Sequence, residues 1–103
     1  MSETTKTPPT LEDLRQRRDE IMALMERYGA YNVRVFGSVA RGDAGPDSDV
    51  DLLISFPQNK SMFELVGLWL DIQELIGYEV SLITDGLDDK RFMDSVLQDA
   101  VAL

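Results

Sequence analysis

The sequence predicts an α/β (α+β) domain, a small mixed sheet of three to four strands flanked by helices. Three observations carry this expectation. Segments rich in β-formers recur at Asn32–Phe36, Val50–Phe56 and Tyr78–Ile83, each bounded by glycine or proline. Stretches with apolar residues at helical spacing lie before, between and after them. The chain has 103 residues and is 44% apolar, which suits one core rather than two.

The elements follow in order. Residues 1–9 are polar, end in Pro8-Pro9 and read as a flexible lead-in to a single domain over 10–103. Thr10 is the expected N-cap of a first helix, with Glu12 and Asp13 complementing the dipole and Leu11, Leu14, Ile21, Leu24 and Met25 forming its apolar stripe to about Tyr28. Gly29 stops it. After the first strand, residues 37–48 hold three of the seven glycines and Pro46, and read as a turn-rich connection. Pro57 ends the second strand. Ser61 and Glu64 have the spacing of a capping box that opens a helix to Ile76, with Gly77 as its stop. That helix is apolar nearly all round, so part of it is expected under another element or at a protein interface, with Met62 and Trp69 as contact residues. A last helix is expected from Asp88-Asp89 through Phe92, Met93, Val96 and Leu97.

Composition removes several kinds of chemistry. With no cysteine and no histidine there is no disulfide, thiol nucleophile, imidazole base or histidine-ligated metal. Catalysis would have to use carboxylates, hydroxyls, Arg or Lys, and any metal would be a hard cation held through oxygen. The net charge is −9, and residues 61–103 carry two basic against nine acidic groups. Such a field repels a polyphosphate backbone, so direct nucleic-acid binding is not expected. A small nucleotide carried by Mg²⁺ is compatible, because the ion offsets the local repulsion. No apolar run is long enough for a membrane span and no secretory signal is visible, so a cytoplasmic location is expected. Homo-oligomer formation is left open.

The chemistry-bearing segment is 37–54, G-S-V-A-R-G-D-A-G-P-D-S-D-V-D-L-L-I. A strand delivers the chain to Gly37-Ser38, ten residues follow, and Asp49 and Asp51 then flank Val50. Residues two apart on a strand share a face, with about 6.5 Å between them along the backbone. Two carboxylates about 5 Å apart repel by roughly 3 kcal/mol at an effective dielectric near 20, a cost that a divalent cation between them reverses. Gly37 lets backbone N–H groups approach a phosphate, Ser38 adds a hydroxyl, and Arg41 is placed to neutralise phosphate oxygens. Phosphate turn and paired carboxylates together suit metal-assisted phosphoryl or nucleotidyl transfer.

The G-S-x10-D-x-D pattern formed by Gly37, Ser38, Asp49 and Asp51 resembles the signature of the DNA polymerase β-like nucleotidyltransferase superfamily, and most closely its minimal nucleotidyltransferase (MNT) branch. The likeness covers roughly residues 11–103 and includes the S-V-A-R-G-D and S-D-V-D-L-L-I stretches. It implies that Gly37 and Ser38 bind the triphosphate of ATP or another nucleoside triphosphate, and that Asp49 and Asp51 bind Mg²⁺. It also implies a third carboxylate on a later strand. In this sequence Ser81 occupies that place, and a neutral serine is no base near pH 7. Glu79, two residues earlier and expected on the same face, is the candidate substitute. Proteins of this branch resemble antitoxins that pair with HEPN-domain toxins and transfer AMP from ATP to a hydroxyl of the partner. The sequence therefore supports two readings: a metal-dependent nucleotidyltransferase acting on a HEPN-type partner, or a catalytically impaired domain of the same fold that neutralises its partner by docking alone.

Overall fold

The computed structural model describes residues 7–86 and 90–103. Among them the chain runs α1 (Leu11–Gln16), α2 (Arg18–Arg27), β1 (Tyr31–Phe36), α3 (Gly37–Arg41), β2 (Val50–Ser55), α4 (Met62–Ile76), β3 (Val80–Thr84), α5 (Lys90–Asp99) and β4 (Val101–Ala102). The expected start of the last helix at Asp88-Asp89 lies outside the described residues.

The strands form one mixed sheet in the order β3-β2-β1-β4. β1 is antiparallel to both β2 and β4, whereas β2 and β3 are parallel and joined through α4. Alternation along the strands divides the core in two. Val33, Val35, Val50, Leu52, Ile54 and Val80 pack under α1, α2 and α4, against Ile21, Met25, Leu68 and Ile72. Leu53 faces the other way and meets Met93 and Val96 of α5, with Phe36 and Ile83 packed around them. Asp51 and Ser81 share the parity of Leu53 and Ile83, so they belong to the α5 face of the sheet.

Three elements differ from expectation. The first helix is two helices broken at Arg17. Residues 15–20 contain no apolar side chain to anchor that turn, and Arg17 instead sends its guanidinium 2.5 Å from the Leu75 carbonyl at the end of α4. The turn-rich connection begins with a single helical turn, α3, because Val39 inside it is buried in the core. β4 is a strand of two residues, too short to show any alternation, held by pairing of Val35 with Val101 and Arg34 with Ala102. Part of the expected lead-in is also packed: Pro9 is buried, and the Tyr78 hydroxyl donates to the Thr7 carbonyl at 2.6 Å.

The helix signals read from the sequence are present. Thr10 Oγ1 accepts from the Asp13 N–H at 3.0 Å. Ser61 and Glu64 close a reciprocal capping box, and Gly77 ends α4 at φ 78°. A Ser61→Ala variant is expected to lose about 1 kcal/mol. In a domain of this size that lowers the melting temperature by about 4–8 °C, measurable by thermal denaturation followed by circular dichroism.

Candidate active site

β1 and β2 are in register with Phe36 opposite Asp51. The residue after Phe36 is Gly37, at φ 74°. A Cβ at Gly37 would collide with Oδ2 of Asp51, so the backbone of this bend lies directly against the carboxylate. Only glycine combines that left-handed backbone with the missing methyl group. The glycine-serine bend and the second acid of the D-x-D pair therefore meet in space, although twelve residues separate Ser38 from Asp51.

Asp51 is half-buried and Asp49, just before β2, is exposed. Burial pushes the Asp51 carboxyl above the ordinary carboxylate range, the Asp49 charge pushes the same way, and Arg41 opposes both. An acid raised by burial and by a like charge is held in an environment that favours a counter-cation. The fit to a hard divalent ion is good in kind: Mg²⁺ characteristically takes one or two protein carboxylates and completes its shell with phosphate oxygens and water. Among the described residues no three acidic side chains gather closely enough to hold an ion. Asp49 and Asp51 are the two carboxylates here that could contribute to such a site.

Gly37 opens α3 with Ser38 next in its first turn, and the N-cap, Phe36, makes no side-chain hydrogen bond, so the first N–H groups have no partner from a capping side chain. Gly42 closes the turn at φ 84°, donating to the Ser38 carbonyl at 2.9 Å. The connection onward is fastened locally, with the Gly45 N–H donating to Ser48 Oγ at 2.8 Å. Arg41 has other partners than expected. Its Nη1 donates to Asp99 at 2.8 Å and its Nε to Asp43 at 3.4 Å, which holds the guanidinium firmly protonated. Asp43, read from sequence as a turn-solvating residue, and Asp99, not singled out, are thus part of the neighbourhood. Nothing in the sequence links Asp99 to Arg41 across 58 positions.

The parallel register sets Ser81 beside Asp51. The position at which the resemblance implied a third carboxylate thus adjoins Asp51 and carries a hydroxyl. Glu79 precedes β3 rather than lying in it, and its carbonyl accepts from the Val50 N–H at 2.9 Å. Its side chain lines a cavity of about 330 Å³ with Pro46–Asp49 and Tyr78. Glu79 thus shares a cavity with Asp49 and is not brought into a cluster of three with Asp49 and Asp51.

The nucleotidyltransferase domain family matches residues 15–102. The protein adenylyltransferase MntA of Thermococcus cleftensis is 35% identical over 78 residues, covering 76% of this chain and 79% of that protein. The chain belongs to the nucleotidyltransferase domain family. A solved structure of a candidate minimal nucleotidyltransferase superposes with a TM-score of 0.79 at 42% identity, over 92% of this chain and 97% of that one. The fold recurs in a complex of a tri-AMPylated Shewanella oneidensis HEPN toxin with its MNT antitoxin, at TM-score 0.65 and 12% identity, over 85% of this chain and 69% of that one. The family and the fold expected from the Gly-Ser and Asp-x-Asp pattern are therefore those found, and this nucleotidyltransferase domain shares the class of activity.

Two outcomes follow from the Gly37–Asp51 contact. Gly37→Ala is expected to lose more than about 1 kcal/mol of stability, since alanine is strained at positive φ and its methyl displaces the carboxylate. Asp51→Asn is expected to melt at a higher temperature than wild type at neutral pH without ligand. The sign follows from the raised pKa: above the ordinary value of 3.8 the unfolded chain ionises Asp51 more readily than the folded one. Its contribution therefore opposes folding increasingly as pH rises from 3.8 through the folded value, and stays in place above it. Melting curves of wild type and Asp51→Asn should converge as pH falls towards 3.8; a variant that melts lower at neutral pH contradicts this account.

Proposed function

We propose that this domain transfers AMP from ATP to a hydroxyl of a partner protein of the HEPN type, as the antitoxin half of a pair. The observation that carries the reading is the packing of Gly37 on Asp51, with Asp49 adjoining. The relatives support the substrate class. One is named a protein adenylyltransferase, and a neighbour of the same fold is bound to an AMPylated HEPN toxin.

In this reading Asp49 and Asp51 hold Mg²⁺ through carboxylate oxygens. The ion, when bound, neutralises phosphate charge and orients the triphosphate. The Gly37 bend donates backbone N–H groups to the phosphates, Ser38 adds its Oγ, and Arg41 offsets charge on the phosphate oxygens. The partner's hydroxyl oxygen bonds to the α-phosphorus as the bond to the bridging oxygen breaks, and pyrophosphate leaves towards Gly37-Ser38. Glu79, sharing a cavity with Asp49, is the carboxylate we assign to receive the hydroxyl proton. A second reading, docking without transfer, is favoured by one observation: Ser81 stands beside Asp51 where the resemblance predicts a third acid.

A face for a protein acceptor is available on α4. Met62, Phe63 and Leu70 are exposed by 72%, 88% and 53%, with Val66 between them on the same side of the helix. Trp69 is less exposed, and its indole N–H donates to the Val80 carbonyl at 2.7 Å, so its polar end is committed to the fold. A contiguous exposed apolar stripe of this kind is characteristic of a protein contact.

Incubation of the domain and its partner with ATP and Mg²⁺, followed by intact-mass measurement of the partner, separates the two readings. Transfer gives an AMP-sized mass gain that Asp49→Asn abolishes and Glu79→Gln reduces by about 100-fold or more, the range of a general base. Inhibition of the partner without any mass gain supports docking alone. Phe63→Asp with Leu70→Asp is expected to weaken partner binding at least ten-fold while leaving nucleotide affinity unchanged. Equal loss of both would place the partner face elsewhere.

A further inference from the structure

Arg41 and Asp99 form a contact that the reaction as outlined does not explain. Asp99 is the last residue of α5. It lies three and six positions after Val96 and Met93, the residues that bury α5 on Leu53. Asp99 thus continues the inward-facing line of the helix, one turn past its apolar part. A carboxylate is doubly unfavourable there. It interrupts an otherwise apolar line, and it stands at the negative end of the helix dipole. The guanidinium of Arg41 compensates both, at 2.8 Å.

The partners divide the donors of Arg41 in a definite way. Asp99 takes Nη1, Asp43 takes Nε, and among the described residues no hydrogen bond engages Nη2. The guanidinium is therefore clamped along one side and keeps a free amino group. Arg41 also ends the short α3 turn that Gly37 begins against Asp51, yet it forms no ion pair with Asp49 or Asp51. Released from its clamp, so long a side chain would be drawn to those two acids and would occupy the place of the cation.

We propose that Asp99 is a positioning residue for nucleotide binding. It holds Arg41 beside the carboxylate pair, out of ion-pairing with it, with Nη2 free for a phosphate oxygen. The proposal rests on the reading of Gly37, Ser38, Asp49 and Asp51 as a nucleotide site. It adds a specific role for α5, which contributes no residue to the pattern recognised in the sequence.

The experiment is equilibrium binding of a fluorescent ATP analogue with Mg²⁺ to the full chain. Wild type would be compared with Asp99→Asn, Asp99→Glu, Arg41→Gln and the double variant Asp99→Asn/Arg41→Gln. Arg41→Gln is expected to weaken binding about ten-fold, as loss of a charge-assisted phosphate contact does. Asp99→Asn should weaken it about five-fold, the scale of a half-exposed ion pair. Asp99→Glu, which keeps the charge, should stay within about two-fold of wild type. The double variant should bind no more weakly than Arg41→Gln alone, because Asp99 acts only through Arg41.

Additive losses in the double variant overturn the proposal, as does an Asp99→Asn protein that binds as tightly as wild type. Tighter binding by Asp99→Asn also overturns it, since Asp99 would then compete with the phosphates for Arg41. A purely structural tie predicts a lower melting temperature for Asp99→Asn with affinity intact, so thermal denaturation of each variant accompanies the binding curves. Asp49→Asn separates this inference from the reading beneath it. If that variant binds the analogue like wild type, the nucleotide site itself is misplaced; if it does not and Asp99→Asn does, only the role of Asp99 fails.

Discussion

The fold is organised around a close approach: the Asp51 carboxylate against the backbone of Gly37. Antiparallel pairing of β1 with β2 creates it, by setting Phe36 opposite Asp51. A side chain at Gly37 would abolish it, and the left-handed backbone there excludes most residues on its own account. The contact is made by strand register, so it does not depend on the path of the connection beyond α3, residues 42–48. That is why a glycine and an acid fourteen positions apart behave as one feature.

The same register explains how the site is supported. β2 is the most deeply buried strand, with Val50, Leu52, Leu53 and Ile54 all inaccessible. Asp51 is the interruption in that run, and it points to the α5 face, where Leu53 and Ile83 continue the core. An acid in such a place is costly. Its raised proton affinity shows that part of the cost is borne in the folded state. The surrounding apolar burial makes the arrangement tolerable, and the rigidity of a central strand keeps the carboxylate from swinging into water. Local instability and fixed geometry thus have one cause, which is common where a charge must be held ready for a ligand.

Much of this was legible in the sequence because the signals are local. The Thr10 cap, the Ser61–Glu64 capping box and the Gly77 stop each depend on residues within four positions. All three are present in the structure. The order strand, helix, strand was legible too, but the parallel register that sets Ser81 beside Asp51 was not, because no local signal fixes it. What was missed depends on distant partners. The break at Arg17 follows from a carbonyl 58 residues away, and α3 exists because Val39 finds a core assembled from both ends of the chain. β4 consists of two residues whose only reason to be extended is β1. Arg41 was expected to meet phosphate oxygens, and its pairing with Asp43 and Asp99 was not foreseen. A guanidinium is promiscuous, and nothing in the local sequence specifies which acid will reach it.

The serine beside Asp51 bears on how far the proposed chemistry is concentrated in Asp49 and Asp51. In a parallel pair of strands the side chains at matched positions lie next to each other on one face, so whatever occupies position 81 adjoins Asp51. A third acid there would add a further like charge to a carboxyl already raised by burial and by Asp49. A hydroxyl adds none, and can donate to the Asp51 carboxylate or to a phosphate oxygen. The hydroxyl therefore avoids a further electrostatic cost while leaving Asp49 and Asp51, the pair to which the proposed reading assigns the cation. The capacity removed is proton transfer at that position. Under the proposed reading, Glu79, just before β3 and in a cavity with Asp49, would supply that capacity with little added repulsion, because exposed charges are screened by water.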